Sequence, residues 1–439
     1  MGHKYLSGNT AISIAASVEH AVRARVVQAG ERLPSVREAA EFLGVNRNTV
    51  AAAYARLRDA GIIVGGSGRG GMRIAATQPV EGGAMALPSG ICDLASGDID
   101  AAFLPRLDRV LGKLDLTPSG CEAHGDDPAL VALMHQKLGA EGLDTRHHCF
   151  LSGALVAMER ALRWQWQRRA GAAVLVEDPG YPPLFDLLRS LGLKPRPIPL
   201  DEEGPEVEAL EAGLKAGAIA AILTPRAQNP FGCDISAPRA AALTSVLQAY
   251  PDCLVILDDH WGPIAEGGLT LDPCAFKRWM FVRSVAKFLG PEYRLAIALG
   301  DPLTVEQIRR QQVLGPRWVS RLLQRFIVAL WQEPGMEARL NDAKAAYRER
   351  RHALLQELRC AGLTVHGYSG VFVWVEVPSE TEIVPAMLGR GWAVQPGRPF
   401  RIASGPAVRL SVAKLTVASA QRAGFDLGQC VTGARRFIS

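Results

Sequence analysis

Hydrophobic positions in the first part of the chain recur at the three- to four-residue spacing of amphipathic helices. In residues 10–28 they are Ile12, Ile14, Val18, Val22, Val26 and Val27. A second helix is predicted over residues 36–43, because Ser35 can cap its first turn and Gly44 can end it. Asn46 can cap a third helix, which Gly61 would end. Two short helices joined by a tight, glycine-containing turn are typical of a helix-turn-helix.

A glycine-rich stretch follows the third predicted helix. Residues 62–64 and 72–74 are apolar enough to form two short strands, and the text between them is GGSGRGG. Two strands and such a loop after a helix-turn-helix predict a wing. Its glycines would let the backbone and Arg69 come close to a phosphate or a minor groove.

From about Asp93 onward the pattern changes to continuous apolar strands separated by amphipathic helices. The clearest strands are residues 174–176, 219–223, 253–257 and 279–282, and the clearest helices are residues 206–216 and 237–249. Strands that are apolar on both faces predict a mostly parallel sheet covered by helices on both sides.

The stretch between these two patterns, residues 76–91, is rich in small residues, glycine and proline (ATQPVEGGAMALPSGI). Such a composition predicts a semi-flexible tether. We therefore predict a head over residues 1–75, a linker over 76–91 and a body over 92–439.

Composition restricts the class of protein. The chain has 439 residues, too many for one ordinary core, and 48% hydrophobic with 21% charged residues is typical of a soluble protein. No apolar run approaches the ~18 residues of a membrane span, and the N-terminus lacks the apolar region of a signal peptide. The eight cysteines are scattered without metal-ligand spacing. We expect a cytoplasmic protein with no metal site and no membrane contact.

Charge is distributed unevenly along the chain. Residues 1–75 contain ten Lys or Arg and five Asp or Glu, whereas the remaining residues contain 39 of each. The net charge of +5 therefore belongs to the head. This asymmetry predicts a polyanion as the partner of the head, and a helix-turn-helix would read double-stranded DNA with Arg47, Asn48 and Thr49.

The body carries a candidate reactive lysine. Lys287 follows the predicted strand 279–282 and stands between Ser284 and Arg294. A lysine amine can form a Schiff base with an aldehyde, while a hydroxyl and a guanidinium group hold a phosphate; these are the needs of pyridoxal 5'-phosphate. A surface lysine near an arginine is the simpler interpretation of this segment alone, so support has to come from elsewhere in the body.

Polar residues at other strand ends supply that support, because ligands of such sheets gather at the carboxyl ends of the strands. Asp258 could face the pyridine nitrogen and keep it protonated, Asn229 could hydrogen-bond the ring hydroxyl, and Tyr181 could stack on the ring. Each of these residues also has a simpler explanation: a structural ion pair, a residue of a turn motif, or a tyrosine of the core. All of them in this order predict a cofactor site.

Two further positions complete the candidate site. Ser152, Gly153 and Ala154 open a predicted helix, whose free amides could bind phosphate. Arg409, near the chain end, could pair with the carboxylate of an effector or substrate.

The order of these motifs resembles the fold type I aminotransferases. Head and body together resemble the MocR subgroup of the GntR-family transcription regulators over nearly the whole chain, and within it the PtsJ type. The resemblance rests on NRNTVAAAY in the head, then ILTPRAQNP, ILDDH, the RSVAK and GPEYRLAI segments and Trp318-Val319-Ser320.

The resemblance implies an N-terminal winged helix-turn-helix and an α/β body of aminotransferase fold type I with a small C-terminal α+β subdomain. It implies a homodimer, pyridoxal phosphate as effector, and control of vitamin B6 metabolism such as a pyridoxal kinase gene. The residues that it implies in cofactor binding are Lys287, Asp258, Asn229, Tyr181, Ser284 and Arg294. Those that it implies in DNA contact are Arg37, Arg47, Asn48, Thr49, Gly68, Arg69 and Gly70.

The chain departs from true transaminases at several positions. His260 replaces the tyrosine that usually follows the ring-binding aspartate by two residues, and we count it among the cofactor-binding residues. His124 replaces the tyrosine of a Tyr-Gly pair, and Phe231 is a large side chain expected to crowd the substrate side. Ala154 and Leu155 replace polar side chains at the phosphate turn. These departures favour cofactor binding without efficient turnover.

Three functions therefore remain open from the sequence. The first is a transcription regulator that uses a former enzyme domain as its pyridoxal phosphate receptor. The second is an active aminotransferase with a DNA-binding appendage, which the presence of Arg409 favours. The third is a DNA-binding dimer whose lysine never meets a cofactor.

Overall fold

The structure, a computed structural model, describes residues 5–23, 26–28, 30–59, 62–65, 71–74, 87–114, 125–166 and 171–438. The chain divides into two compact units, Met1–Ala86 and Leu87–Ser439. The predicted DNA-contacting residues Gly68, Arg69 and Gly70 lie outside the described residues, as do most of the predicted linker and His124.

In its described residues, the first unit contains three helices and a two-stranded sheet. The helices are α1 (Ala11–Arg23), α2 (Val36–Leu43) and α3 (Arg47–Asp59), and the strands are β1 (Ile63–Val64) and β2 (Arg73–Ile74). The two strands are antiparallel, with Ile63 opposite Ile74. The predicted helix-turn-helix and the two strands of the wing are confirmed.

Capping interactions explain where α2 begins and ends and where α3 begins, whereas Gly61, predicted to end α3, lies outside the described residues. Ser35 Oγ accepts a hydrogen bond from Glu38 N, and the Glu38 carboxylate accepts one from Ser35 N, which forms a complete capping box. Gly44 ends α2 in the left-handed conformation, with φ of 66°. Asn46 Oδ1 accepts from Asn48 N over 2.9 Å at the start of α3.

The first helix is shorter than its apolar pattern predicts. It ends at Arg23, and the amide of Val26 donates to the carbonyl of Ala21 over 2.9 Å as the chain turns away. Val26 is 62% exposed, so it does not belong to the buried face, whereas Val27 is buried in the core of the unit. The apolar pattern continues to Val26 and Val27, beyond Arg23, the last residue assigned to the helix.

The second unit is built on an eight-stranded sheet with the order β4-β11-β10-β9-β8-β5-β6-β7. The strands are β4 (His148–Leu151), β5 (Ala173–Asp178), β6 (Lys194–Asp201), β7 (Gly204–Pro205), β8 (Ala220–Leu223), β9 (Leu254–Asp258), β10 (Trp279–Ser284) and β11 (Ala296–Gly300). A short strand, β3 (Cys92–Asp93), precedes them in the chain. The neighbours β10, β9, β8, β5 and β6 run parallel, while β11 is antiparallel to β10 and to β4. The predicted mostly parallel sheet is confirmed.

Helices cover both faces of this sheet. They are α4 (Pro128–Gly139), α5 (Ala154–Trp166), α6 (Pro182–Ser190), α7 (Val207–Lys215), α8 (Ala237–Gln248), α9 (Pro302–Val313) and α10 (Arg321–Trp331). Alternate residues of each strand bury on opposite faces: Val176 and Ile256 pack with α5, α6 and α9, whereas Leu175 and Val255 pack with α4, α7 and α8. Burial on both faces explains why the strands read as continuous apolar runs.

A small C-terminal subdomain completes the second unit, as predicted. Its elements are α11 (Met336–Cys360), β12 (Val365–His366), β13 (Phe372–Glu376), α12 (Glu380–Leu388), β14 (Trp392–Ala393), β15 (Gln395–Pro396), β16 (Ala407–Ser411) and α13 (Val417–Ile438). The antiparallel sheet β12-β13-β16-β15 forms its centre, and β14 pairs with β3. Among the described residues, no helix is both long and apolar enough to cross a bilayer.

One carboxylate joins the large subdomain to the small one. Asp178, at the end of β5, is buried and accepts hydrogen bonds from the backbone amides of Ile402, Ala403 and Ser404 over 2.7 to 2.9 Å. The Ser404 hydroxyl adds a fourth bond of 3.0 Å. This contact fixes the segment that leads into β16, the strand that carries Arg409.

Candidate functional site

The predicted site residues of the second unit lie along the carboxyl edge of the parallel strands. Asp258 ends β9 and Ser284 ends β10. Tyr181 follows β5, and Asn229 follows β8. Because the carboxyl ends of parallel strands meet at one edge, four residues that are far apart in sequence share one region.

Asp258 is a half-buried carboxylate that lacks a full set of partners. Its side chain is 14% exposed, and Oδ1 has no hydrogen-bond partner among the described residues. Burial, together with the charges of Asp259 and Glu177, raises the pKa of Asp258 to about 8. A carboxyl group in this state is ready to meet a positively charged or proton-donating ligand atom.

The neighbouring Asp259 belongs to an ion cluster with two buried arginines and the exposed Glu141. Arg226 Nε and Arg283 Nε each donate to Asp259 over 2.8 Å, and both guanidinium groups also contact Glu141 at 3.0 Å or less. Burial opposes ionisation of Asp259, but Arg283 and Arg226 hold its pKa well below the usual range. The two positive and two negative charges balance, so the cluster fixes the end of β9 without a net charge.

Lys287 points its amine at a backbone carbonyl. Nζ donates to Gly97 O over 2.5 Å and lies 5.5 Å from the centre of the Trp261 ring. Burial, and then the nearby charge of Arg409, lowers the pKa of Lys287 to about 8, against the opposing charge of Asp98. A larger fraction of this amine is therefore neutral, and nucleophilic, at neutral pH than for an ordinary lysine.

His260 lies beside both of these groups as a neutral imidazole. Its Nδ1 is 3.9 Å from Asp258 Oδ2, and neither ring nitrogen has a hydrogen-bond partner among the described residues. Burial, and then the charge of Lys287, lowers the pKa of His260 to about 4. The imidazole can therefore donate one hydrogen bond and accept another at neutral pH.

Arg409 connects the small subdomain to this region. Nη1 donates to Asn229 Oδ1 over 3.1 Å, and Nη2 donates to the carbonyl of Ala95. The guanidinium carbon lies 4.4 Å from the centre of the Phe372 ring and 4.7 Å from that of Phe400. Aromatic faces on a buried arginine stabilise its charge and its position.

Arg294 reaches the turn that precedes α5. A Cβ atom built on Gly153 would lie 3.1 Å from Arg294 Nη2, and Gly153 has a φ of +141° that favours glycine. Arg294 therefore stands at the N-terminus of α5, where Ala154 is the first helical residue. Ser152 is exposed next to it, and Ser284 Oγ accepts from the amide of Ala286 over 3.3 Å. A guanidinium and a helix N-terminus together favour a phosphate.

Tyr181 is a partly open residue of the same region, with 39% of its surface exposed. Burial, and then the charge of Asp258, raises the pKa of its hydroxyl, while Arg294 and Arg409 act in the opposite direction.

Glu177 is a site residue that the sequence analysis missed. Its carboxylate accepts hydrogen bonds from Thr224 N over 2.6 Å and from Gln228 Nε2 over 3.1 Å, directly before Asn229. Burial raises the pKa of Glu177 to about 7, against these two bonds. An acidic residue at the end of a buried strand was the available signal, since carboxylates are rarely buried without a partner.

The aromatic side chain of Phe231 lies against the small subdomain. Its ring stacks on His366 with 4.1 Å between centres, and it packs with Trp374 and Phe400. Phe231 is 5% exposed and forms part of the wall of a groove of about 670 Å³ whose lining also includes Glu376. The expectation that it crowds a substrate stays a prediction.

The predicted DNA-contacting residues belong to the first unit. Arg47, Asn48 and Thr49 are the first three residues of α3, and Arg37 is in the first turn of α2. Arg37, Arg47 and Asn48 are exposed, while Thr49 is half-buried. Exposed residues in the first turn of the second helix are the ones that read base edges in a helix-turn-helix.

Two protein families match separate parts of the chain. Residues 10–72 match the family described as bacterial regulatory proteins, gntR family. Residues 128–423 match the family described as aminotransferase class I and II.

Two curated transcription regulators are similar to this chain over most of its length. The vitamin B6 salvage pathway transcriptional repressor PtsJ of Salmonella typhimurium is 34% identical over 97% of this chain and 99% of its own length. The pyridoxine biosynthesis transcriptional regulator PdxR of Corynebacterium glutamicum is 24% identical over 74% of both chains.

Among solved structures, the α-aminoadipate aminotransferase LysN of Thermus thermophilus, in complex with N-(5'-phosphopyridoxyl)-L-leucine, superimposes with a TM-score of 0.68. The match covers 80% of this chain and 94% of that one, at 24% identity. The likeness confirms the predicted aminotransferase fold of the second unit.

Proposed function

This chain belongs to the GntR-family transcription regulators of MocR architecture, in which a DNA-binding helix-turn-helix is joined to an aminotransferase class I and II domain, and we propose that capture of pyridoxal 5'-phosphate at Lys287 controls its binding to DNA. The observation that carries the proposal is a set of polar atoms without protein partners beside a candidate nucleophile. Asp258 Oδ2 lies 3.9 Å from His260 Nδ1, and Asp258 Oδ1 and both imidazole nitrogens have no hydrogen-bond partner among the described residues. The Lys287 amine, whose pKa is lowered to about 8, is close enough to lower the pKa of His260 as well.

The residues of the site suit this cofactor. When bound, it supplies an aldehyde that condenses with an amine and a protonated ring that withdraws electrons. Asp258 Oδ1, which lacks a partner among the described residues, would hold the proton of the ring nitrogen. The ionic contact would relieve the cost of burying that carboxylate.

The other ring contacts follow from the side chains nearby. Asn229 uses its Oδ1 to accept from Arg409, which leaves its amide group to donate to the ring hydroxyl. His260 would give a second contact on that side of the ring, in place of a tyrosine. Tyr181 would cover one ring face with its partly exposed aromatic surface.

The phosphate would bind at the start of α5. Arg294 supplies a positive charge beside Gly153, and the amides of Gly153 and Ala154 are available at a helix N-terminus. The hydroxyls of Ser152 and Ser284 would add two donors. The nonpolar Ala154 side chain is no obstacle, since the backbone makes the contact.

The head binds DNA, as its GntR family membership states. We propose that Arg37, Arg47, Asn48 and Thr49 make the contacts, with Gly68, Arg69 and Gly70 of the wing. A homodimer would place two heads on two half-sites. The proposal places the protein in the cytoplasm, with a gene of vitamin B6 metabolism such as a pyridoxal kinase gene as its target. The names of its relatives, a repressor of vitamin B6 salvage and a regulator of pyridoxine biosynthesis, support this assignment.

One observation favours an active aminotransferase as the second candidate. Arg409 is retained and lies beside Asn229, where it could hold the carboxylate of an amino acid. Incubation with amino and keto acids distinguishes the two functions. Turnover at or above ~1 per second, within the ordinary range of enzymes, would support the enzyme.

Absorption spectroscopy of the full chain tests the proposed function. Pyridoxal phosphate should produce a band that belongs to a C=N bond at Lys287, and Lys287→Ala should abolish it. Lys277→Ala is a matched control, since Lys277 is an exposed lysine paired with Asp252. The cofactor should change DNA affinity in the wild type and in the control but not in Lys287→Ala. Absence of the band in the wild type would refute the proposal.

A further inference from the structure

Two turns of the candidate site follow neighbouring strands of the sheet. We call residues 179–181, which end with Tyr181, the tyrosine turn, and residues 228–232, which include Asn229, the asparagine turn. They come after β5 and β8, which are adjacent and parallel. A planar ligand that is stacked by the tyrosine and hydrogen-bonded at its edge by the asparagine requires a fixed position of one turn relative to the other, because hydrogen bonds weaken steeply away from their best geometry.

The side chain of Gln228 joins the two turns. Its Nε2 donates to Pro179 O of the tyrosine turn over 2.9 Å, and its Oε1 accepts from Phe231 N of its own turn over 2.8 Å. The second hydrogen of Nε2 goes to the Glu177 carboxylate over 3.1 Å, near the end of β5. Among the described residues, the two bonds of Nε2 are the hydrogen bonds that directly connect the asparagine turn to the tyrosine turn and to the strand before it.

The partners of Gln228 determine how its amide is oriented. Nε2 faces two acceptors, a carbonyl and a carboxylate, while Oε1 faces a backbone donor, so the opposite orientation would lose all three bonds. The residue is 1% exposed, and both of its amide hydrogens are used within the protein. Gln228 therefore has no donor left for a ligand and can affect the site only through its neighbours.

Each turn also has anchors of its own. Gly180 N donates to Phe400 O over 2.8 Å, and Ser369 N donates to Gly232 O over 2.8 Å, so both turns contact the small subdomain through different segments. These bonds hold each turn in the fold, whereas Gln228 holds one turn directly to the other. Loss of its amide should therefore displace the asparagine turn slightly without unfolding it.

We propose that Gln228 is a positioning residue of the cofactor site, which directs the Asn229 amide at the oxygen of the cofactor ring while Tyr181 covers the ring face. The proposal rests on the proposed function and adds to it a residue that acts through Asn229. Arg409 already donates to Oδ1 of Asn229 over 3.1 Å, so the amide hydrogens that remain for the ring take their direction from the turn.

The absorption band of the C=N bond at Lys287 reports this contact. The nitrogen of that bond holds a proton that the negatively charged ring oxygen attracts. A hydrogen bond donated by Asn229 to the same oxygen weakens the attraction, so the nitrogen loses its proton at a lower pH. The midpoint of the band in a pH titration therefore measures how well Asn229 donates.

The experiment is a pH titration of the full-length protein loaded with pyridoxal phosphate. Asn229→Ala removes the donor and Gln228→Met removes the amide that directs it. Both should raise the midpoint, the second by about 0.3–1 pH unit. In the double variant the two shifts should not add, because Gln228 acts through Asn229. Gln248→Met is the control and should leave the midpoint unchanged, since Gln248 is exposed and donates to Ala275 O over 3.3 Å.

The outcomes separate a positioning role from a merely structural one, because a loss of stability alone does not move a midpoint measured on folded, loaded protein. If Gln228→Met does not fold, Gln228→Asn provides the same test, since its amide is one methylene too short to reach both turns.

The outcomes also separate this proposal from the proposed function. If Asn229→Ala moves the midpoint and the folded Gln228 variant does not, the role of Gln228 is overturned and cofactor capture stands. Additive shifts in the double variant, or an unchanged midpoint in Asn229→Ala, overturn it in the same way. If no band forms in the wild type, the proposed function itself fails.

Discussion

The guanidinium group of Arg409 donates to Oδ1 of Asn229 over 3.1 Å, which connects a strand of the small subdomain to the turn after β8. The same two subdomains are also joined at Asp178, so the protein without ligand already holds them together. A fixed junction suits a receptor, because a ligand then changes local contacts rather than the position of a whole subdomain.

The Asp178 junction should be important for stability. Asp178→Ala would leave three backbone amides without their acceptor, and an unsatisfied buried donor costs about 1–3 kcal/mol. We expect a loss of about 2–4 kcal/mol in the free energy of unfolding, measured by urea denaturation of the full chain. Asp178→Asn keeps one acceptor oxygen and should lose less. Equal stability of Asp178→Ala and the wild type would contradict the role of this carboxylate.

Cofactor capture should depend on pH through Lys287. With the pKa of Lys287 lowered to about 8, the neutral amine increases about tenfold per pH unit below that value and then levels off. The rate constant for capture, measured by stopped-flow absorbance, should follow the same curve. Lysine acetylated at its α-nitrogen is the reference, and its rate of condensation with pyridoxal phosphate should continue to rise toward pH 10. A protein rate that rises in parallel with the reference would show an ordinary lysine.

Asp258 should make the ligand-free protein less stable at high pH. The folded state binds its proton up to about pH 8, whereas the unfolded chain releases it near the ordinary value of 3.8. Stability is therefore lost as pH rises from about 4 to about 8. Asp258→Asn should remove this loss and raise the melting temperature by about 2–4 °C more at pH 8 than at pH 5.

The same substitution should weaken cofactor binding. An amide cannot stabilise a protonated ring nitrogen, so the dissociation constant for pyridoxal phosphate should rise by about tenfold to a hundredfold. Asp252→Asn is the control, because its side chain is 94% exposed. Unchanged binding by Asp258→Asn would place the ring nitrogen elsewhere.

Salt titrations can test the DNA contacts of α3. Each phosphate neutralised by a protein contributes about −0.9 to the slope of log affinity against log salt. Arg47→Ala should therefore reduce the slope for mixed-sequence duplex DNA by about 0.9, measured by fluorescence anisotropy. Arg310→Ala, an exposed arginine of the second unit, should leave the slope unchanged. If both variants kept the wild-type slope, Arg47 would not contact phosphate.

Features with a local cause could be predicted from the sequence. The limits of α2 follow from Ser35 and Gly44, and the start of α3 follows from Asn46, because capping involves residues within one turn. The parallel strands could be recognised because both of their faces are buried. The end of α1 was missed, since apolar residues continue after the helix stops at Arg23.

Features that join distant parts of the chain could not be predicted in the same way. The carbonyl that meets Lys287 belongs to Gly97, 190 residues earlier, and a backbone atom has no identity in a sequence pattern. Arg226 and Arg283 were present in the motifs, yet their partners Asp259 and Glu141 are 24 to 142 residues away. Residue types at strand ends indicate the chemistry of a site, but only the fold shows which contacts hold it.

The neutral cluster of Arg226, Asp259, Arg283 and Glu141 constrains how this sequence can diverge. Loss of Asp259 would leave two buried arginines with only the exposed Glu141 as their counter-charge, at a cost of about 3–5 kcal/mol, whereas concerted replacement of the buried members by nonpolar residues need not destabilise the fold. Variants that stay folded should therefore keep Arg226, Asp259 and Arg283 or exchange them together. A substitution at the adjacent Asp258 would have to preserve the charge balance of this cluster.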